Sequence, residues 1–505
     1  MARVLVAGVD SSTQSTKVVL VDPESGELVA LGRASHTVSG HDGARESDPE
    51  QWWSALSTAF HQALDQARER TGAECAVSAV SVAGQQHGLV TLDADGRPVR
   101  PAILWNDVRS AEDAEKLTDD LGGAQAWTER TGTVPVASIT ATKWAWLRRN
   151  EPASASATAA VRLPHDFLTE RLCGNGVTDR GDASGSGWYS TAQESYDPTI
   201  LELPRLQLDP ALLPRVAPHD VAAGEITREA AQHLGIAHGA LVGAGTGDNM
   251  AAALGLGLES VPPAHETAAT GGGSAHAAVF SLGTSGTVFT STAQRAQDPT
   301  GMVAGFADAS GGWLPLGCTL NCTQAVDTVA SWLGRDREAV EEGGEVVMLP
   351  FFDGERTPNL PLASGLVSGL RHATTPGQIL RAAYEGAVHS LLAALERIGP
   401  VTGTEIAADL PLLVTGGGAQ GRAWVETIRR LSGRPVVLPR AGELVAVGAA
   451  AQAASLLSKE SAPAVARRWG AADGPTLDPV TRDEATLRRL DLALERANPM
   501  LAPRS

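Results

Sequence analysis

At 505 residues the chain is too long for a single hydrophobic core, so two or more domains are expected. Its 43% hydrophobic and 19% charged composition is that of an ordinary globular protein, and a net charge of −18 argues against nucleic acid or an anionic membrane surface as partner. Four scattered cysteines (Cys75, Cys173, Cys318, Cys322) exclude a disulfide framework, and no apolar run reaches the ~18 residues of a membrane span.

Apolar runs from Val4 to Val9 and from Lys17 to Val21 predict two strands around a tight turn rich in Ser, Thr and Gln. No charged-then-apolar leader precedes them, which makes the cytoplasm the expected compartment. Asp48-Pro49-Glu50 is a helix start signal, and a helix pattern follows from Trp52 to Ala67. A further apolar run, Ala76 to Ala83, ends in Gly84-Gln85-Gln86-His87-Gly88, and a hairpin-like stretch turning at Asp95-Gly96 leads to Trp105-Asn106-Asp107. Residues 108–240 are more helical and more interrupted by Pro and Gly, as suits a subdomain beside a ligand cleft.

Strand-then-glycine units recur at 241–249, 279–286 and 412–418, the last followed by a helix pattern over Trp424 to Leu431. Strands alternating with helices give an α/β class, and the recurrence points to internal duplication of one nucleotide-binding fold. The expected domains are 1–245, 246–460 and a helical tail, 461–505. Within the second, 258–277 is small, polar and glycine-rich, and reads as a flexible surface loop.

A glycine turn after a strand ordinarily just makes a connection. Several of them, two carrying an Asp just past the strand, point to a cleft lined by backbone N–H groups and a carboxylate for Mg²⁺, which is what a nucleoside triphosphate needs. Asp10 is the metal candidate; its alternative role is an Asx turn. Asp248 is the candidate general base for transfer of a phosphoryl group to an alcohol, and it can serve as a helix N-cap at the same time.

Two longer segments give the chain a family. Ser138-Ile139-Thr140-Ala141-Thr142-Lys143-Trp144 with its continuation to Asn150, and Gly365-Leu366-Val367-Ser368-Gly369-Leu370 with Gln378 to Glu385, resemble the two signatures of the FGGY carbohydrate kinases. The resemblance covers residues 4–455. It implies a two-domain actin-like ATPase fold, duplicated ribonuclease-H-like domains about an interdomain cleft. Ala446-Val447-Gly448-Ala449-Ala450 resembles the family's second interdomain helix.

The resemblance also implies roles. Asp10 would hold Mg²⁺; Ser12, Thr13, Lys17, Gly283, Thr284, Ser285, Gly416, Gly417, Gly418, Ala419 and Gln420 would bind ATP. Gln86, His87, Trp105, Asn106, Asp107, Asp248 and Asn249 would bind the sugar, with Asp248 as the catalytic base. The sugar-side segments resemble those of members that phosphorylate D-xylulose, whereas glycerol-phosphorylating members carry Arg-Glu where Gln86-His87 stands. Other ketoses or polyols (ribulose, xylitol, glycerol) and a non-catalytic ATP-binding sugar sensor are the alternatives; retention of both Asp10 and Asp248 favours an enzyme. Small-molecule sugar and ATP are the expected partners, with a homodimer expected from the family. Ser12 departs from the family's usual Gly, which would allow closer phosphate approach and positive φ.

Overall fold

The computed structural model describes residues 3–72, 74–260, 277–360 and 362–501; positions 261–276 of the glycine-rich loop lie outside the described residues. The chain forms two compact units. One comprises Met1–Ser260, Gly305–Trp313 and Ala441–Ala472, the other Val261–Ala304, Leu314–Arg440 and Asp473–Ser505.

The first unit is built on strands β1 (Arg3–Ser11), β2 (Ser15–Val21), β3 (Leu28–Ser35), β4 (Cys75–Gly84), β5 (Gly224–Glu225), β6 (Leu241–Val242) and β7 (Thr246–Gly247). The sheet order is β5-β6-β4-β1-β2-β3, with β7 also beside β4. β1 runs antiparallel to β2 and parallel to β4, and it is buried from Leu5 onward because neighbours cover both of its faces. Helix α1 (Pro49–Thr71) starts where the sequence places it: Asp48 accepts a hydrogen bond from the Glu50 N–H, Pro49 fills the first turn, and Gly72 ends it at φ 64°. Its face of Trp52, Leu56, Phe60 and Leu64 packs on the sheet. A separate core around Trp127, Trp144 and Trp188 holds the helical segment after residue 108.

The second unit repeats the plan with β8 (Ala278–Leu282), β9 (Gly286–Phe289), β10 (Val303–Ala307), β11 (Trp313–Thr319), β12 (Leu412–Thr415), β13 (Val436–Val437) and β14 (Thr476–Leu477), in the order β10-β11-β9-β8-β12-β13-β14. β8 is antiparallel to β9 and parallel to β12, as β1 is to β2 and β4. An antiparallel edge strand follows the parallel pair in both sheets, β5 on β6 and β14 on β13. The duplication expected from the recurring turns is therefore present as topology in six strands of each sheet, while β7 and β10 have no counterpart.

The division of the chain differs from the one read off the sequence. Residues 246–260 and 441–472 belong to the first unit, and 473–505 to the second. The cause is the small-residue helix Leu444–Ser455. Ala446, Ala450 and Ala454 join Val6, Val19 and Ala79 in one core, and a Cβ on Gly8 would stand 1.9 Å from the Ala446 carbonyl oxygen. The tail is likewise no separate body, since Leu490, Ala497 and Leu501 of the helix Glu484–Leu501 pack with Val347, Leu349 and Phe351. Among the described residues no helix is long and apolar enough to cross a membrane.

Gly8→Ala is expected to lower the unfolding free energy by at least ~2–3 kcal/mol, because backbone rather than a side-chain tip blocks the added methyl. Gly442→Ala, where a Cβ meets nothing within 4 Å, is expected to leave the chemical denaturation midpoint unchanged.

Candidate active site

Sugar-side and metal-side residues of the first unit gather at the ends of β1, β4 and β7. Asp10 faces Lys17 across the β1–β2 hairpin and is 4% exposed. The Ser12 hydroxyl donates to Asp10 Oδ1 at 2.6 Å, and Lys17 Nζ lies 3.4 Å from Oδ2 and 2.5 Å from Glu443 Oε2. Burial pushes the Asp10 carboxyl up, and Lys17 and Ser12 offset only part of that. Ser12 is not among the residues with positive φ, so this turn closes without a glycine, and the hydroxyl serves the carboxylate instead.

Asp248 opens the helix Asp248–Gly255. Its Oδ1 accepts from the Asn249 N–H at 2.8 Å and from Asn249 Nδ2 at 3.0 Å. The side chain is partly exposed, yet it is surrounded by enough protein that desolvation raises its carboxyl to about 7, with Asp10 and then Asp182 adding repulsion. A carboxylate in that range is matched to accept a proton near neutral pH.

The two turns expected to carry sugar contacts meet here. Asn249 Nδ2 donates to Gln86 Oε1 at 2.8 Å, and Gln86 Nε2 lies 3.2 Å from Met250 Sδ, so β4 and the Asp248 helix are tied by the Gln86 amide. His87 sits in the left-handed region at φ 63°, with its ring 5.3 Å from the Phe306 ring. Trp105 Nε1 donates to Thr13 Oγ1 at 3.1 Å, which joins the sugar-side turn to the first phosphate turn. Asp107 is differently engaged. Its oxygens accept from the Arg45 N–H at 2.8 Å and from Arg109 at 2.7–3.1 Å, so its carboxylate shapes the turn. Asn106 Oδ1 and both amide atoms of Gln85 are buried without a hydrogen-bond partner among the described residues. Sequence reasoning passed over Gln85.

The nucleotide-side turns belong to the second unit. Gly283 is held by the first residue of helix α2 (Thr323–Trp332): the Thr323 N–H and hydroxyl donate to its carbonyl at 3.1 and 2.7 Å. Thr284 projects outward, exposed, with Ser285 beside it. Across the parallel pair, Gly416 has φ 84°, and a Cβ there would meet the Leu282 carbonyl oxygen at 2.6 Å. Gly418 is packed against Leu282 Cβ, whereas a Cβ on Gly417 would meet nothing within 4 Å. Gly416 and Gly418 therefore build the turn, and Gly417 keeps its backbone open to a ligand, with Ala419 and Gln420 following in a short 3-10 turn.

A cavity of about 560 Å³ adjoins Thr284, lined also by Thr323, Gln324, Asp327, Thr328, Ser331 and Trp332. Trp332 is 68% exposed, with its ring edge on Phe352. None of these helix residues carries a glycine-turn signal, so the sequence reading missed them. The first signature is structural at its basic residue: Lys143 is fully buried, and its ammonium donates to the carbonyl oxygens of Ala137, Ser138 and Ile139.

Residues 5–255 match the N-terminal domain of the FGGY family of carbohydrate kinases, and residues 278–457 match its C-terminal domain. The chain belongs to the FGGY family of carbohydrate kinases. It is 60% identical to a xylulose kinase of Streptomyces coelicolor over 98% of this chain and 97% of the relative, and 58% identical, with the same coverage, to one from Streptomyces rubiginosus. A crystal structure of xylulose kinase from Bifidobacterium adolescentis superposes with a TM-score of 0.80 at 35% identity, covering 97% of this chain and 99% of that one. The two-domain kinase fold of the FGGY family, with its mixed sheets and actin-like duplicated plan, is thus the fold of this chain.

The packing of the FGGY glycine turn yields a contrast. Gly417→Ala is expected to fold with an unchanged melting temperature, while Gly418→Ala is expected to be destabilised by ~1–3 kcal/mol, as overpacking gives. Thermal and urea unfolding of the two variants measure this.

Proposed function

We propose that the chain transfers the γ-phosphoryl group of ATP to the 5-hydroxyl of D-xylulose, with Asp248 as general base. The observation that carries the reading is near-60% identity, over almost the full length, to xylulose kinases, together with a carboxylate at Asp248 set near neutral pH. The loss of a proton from the attacking hydroxyl needs an acceptor at hydrogen-bond range, and Asp248 keeps Oδ2 free of its Asn249 contacts for that purpose. Gln86, Asn249 and the His87 turn present polar groups to the ketose hydroxyls, and Trp105 offers an apolar face to its carbons.

On the nucleotide side, the N–H groups around Thr284 and Gly417 and the walls of the Thr284–Trp332 cavity suit phosphates and adenosine. Asp10 fits a magnesium ion. It is a buried carboxylate whose ionised form lacks full compensation, and its hard oxygens suit that cation. Bound there, Mg²⁺ would neutralise charge on the phosphate oxygens. Lys17 lies beside Asp10 and would add positive charge at the same turn.

ADP release from MgATP across D-xylulose, D-ribulose, L-ribulose, xylitol, glycerol and gluconate tests the reading. Strong preference for D-xylulose is expected; preference for another sugar would keep the kinase and replace the substrate. Asp248→Ala is expected to lower turnover by ~10²-fold or more, the scale of general-base loss. Near-normal turnover in that variant would sink the base assignment.

The raised Asp248 carboxyl gives two linked expectations. Activity requires the ionised form, so kcat/KM for the sugar should fall roughly tenfold per unit as pH drops below about 7. A carboxyl with a folded-state value above its unfolded one subtracts stability as pH rises through that interval. Asp248→Asn should therefore melt higher than the parent at pH 8 and lose that advantage at pH 4, as differential scanning calorimetry at the two pH values would read.

A further inference from the structure

A buried acidic cluster lies beneath the sugar-side turns, and the chemistry above does not use it. His165 is fully buried in the first turn of the helix Pro164–Cys173. Its Nδ1 is 2.9 Å from Asp182 Oδ2, its Nε2 is 3.1 Å from Asp166 Oδ1, and Asp179 Oδ1 is 3.8 Å away. All three carboxylates are buried.

Each partner leads to a part of the proposed sugar site. Asp179 accepts from the Gly181 and Asp182 N–H groups, and from the Thr246 hydroxyl at 2.8 Å, two residues before Asp248. The His165 backbone and ring fill the space that a Cβ on Gly84 or Gly245 would need, at 2.8 and 2.7 Å, so the ring lies between the end of β4 and the approach to β7. Asp182 heads the turn to Gly185, whose missing side chain leaves room for the His87 imidazole; a Cβ there would stand 2.2 Å from it. Asp182 Oδ1 has no hydrogen-bond partner among the described residues.

We infer that His165 is a positioning residue for sugar phosphorylation: as a buried cation it gathers Asp166, Asp179 and Asp182, and through Thr246 and the Asp182–Gly185 turn it fixes the segments that carry Asp248, Gln86 and His87. The inference rests on the reading of Asp248 and Gln86-His87 as the sugar side. Burial alone would discharge the ring, but Asp166, then Asp182 and Asp179, favour its proton and raise it to about 9. Unanswered, three buried carboxylates would repel one another and take up protons or open the turn.

Three variants test this: His165→Gln, which keeps hydrogen-bonding capacity and removes the charge, His165→Lys, which restores a cation, and Thr246→Val, which cuts the link to Asp179 without touching the cluster's charge. Steady-state kinetics with D-xylulose and ATP, and melting temperatures, are measured for each. For His165→Gln a fall in kcat of ~10–10²-fold with a raised sugar KM is expected, the scale of a misplacement of about 1 Å, while the ATP KM stays within about twofold. His165→Lys should recover most of the kcat. Unchanged kcat and sugar KM in a folded His165→Gln protein would overturn the inference, and so would a His165→Lys protein as impaired as His165→Gln at an equal melting temperature. If His165→Gln fails to fold, Thr246→Val decides: reduced kcat at an unchanged ATP KM supports the inference, and parental kinetics overturns it. Asp248→Asn, assayed alongside, separates the two readings. Its full turnover would remove the base assignment, whereas the sugar KM of His165→Gln bears on positioning alone.

Discussion

Carboxylates crowded at the ends of the central strands are the constraint on which the first unit depends. Asp10, Asp166, Asp179 and Asp182 are buried, and Asp248 is close enough to Asp10 and Asp182 to feel both. Charges in such surroundings persist only if cations, hydrogen bonds or ligands answer them. Lys17 answers at the Asp10 end and His165 at the Asp182 end, while Ser12, Thr246 and the N–H groups of residues 181, 182 and 249 absorb much of the rest. Compensation is nonetheless incomplete at Asp10 and Asp248, as it is at Asp166 and Asp179, where burial also pushes the carboxyl up.

Much of this was legible in the amino-acid order. The β1–β2 hairpin, the Asp48 helix start and the glycine turns at 283–286 and 416–418 follow from local rules in which apolar runs, caps and turn residues act within a few positions of one another. The two long signature segments gave the family. Ser12 shows why a local departure need not alter a loop: no positive φ is required there, so the substitution adds a hydroxyl without strain.

What stayed hidden depends on partners far away in sequence. Asp107 has the composition of a ligand contact, and only Arg45 and the fold of its own turn reveal that its carboxylate is taken. The Thr284–Trp332 cavity is assembled from one turn and one face of a helix some forty residues later, with no motif to mark it. His165 looks like any residue in a helix start until Asp179 and Asp182 are folded against it. The Leu444–Ser455 helix was expected with the second domain because it follows that domain's strands, but its alanines fit the close surface above Gly8.

That last feature has a consequence for how the molecule is made. The chain passes between its units at 260/261, 304/305, 313/314, 440/441 and 472/473, so neither unit is a continuous stretch. The surface of β1 around Val6 and Gly8 is synthesised more than four hundred residues before the helix that covers it. Until that helix emerges, the apolar surface has no native cover and must be shielded in some other way. The first unit therefore completes its core only after residues 314–440 of the second have been made.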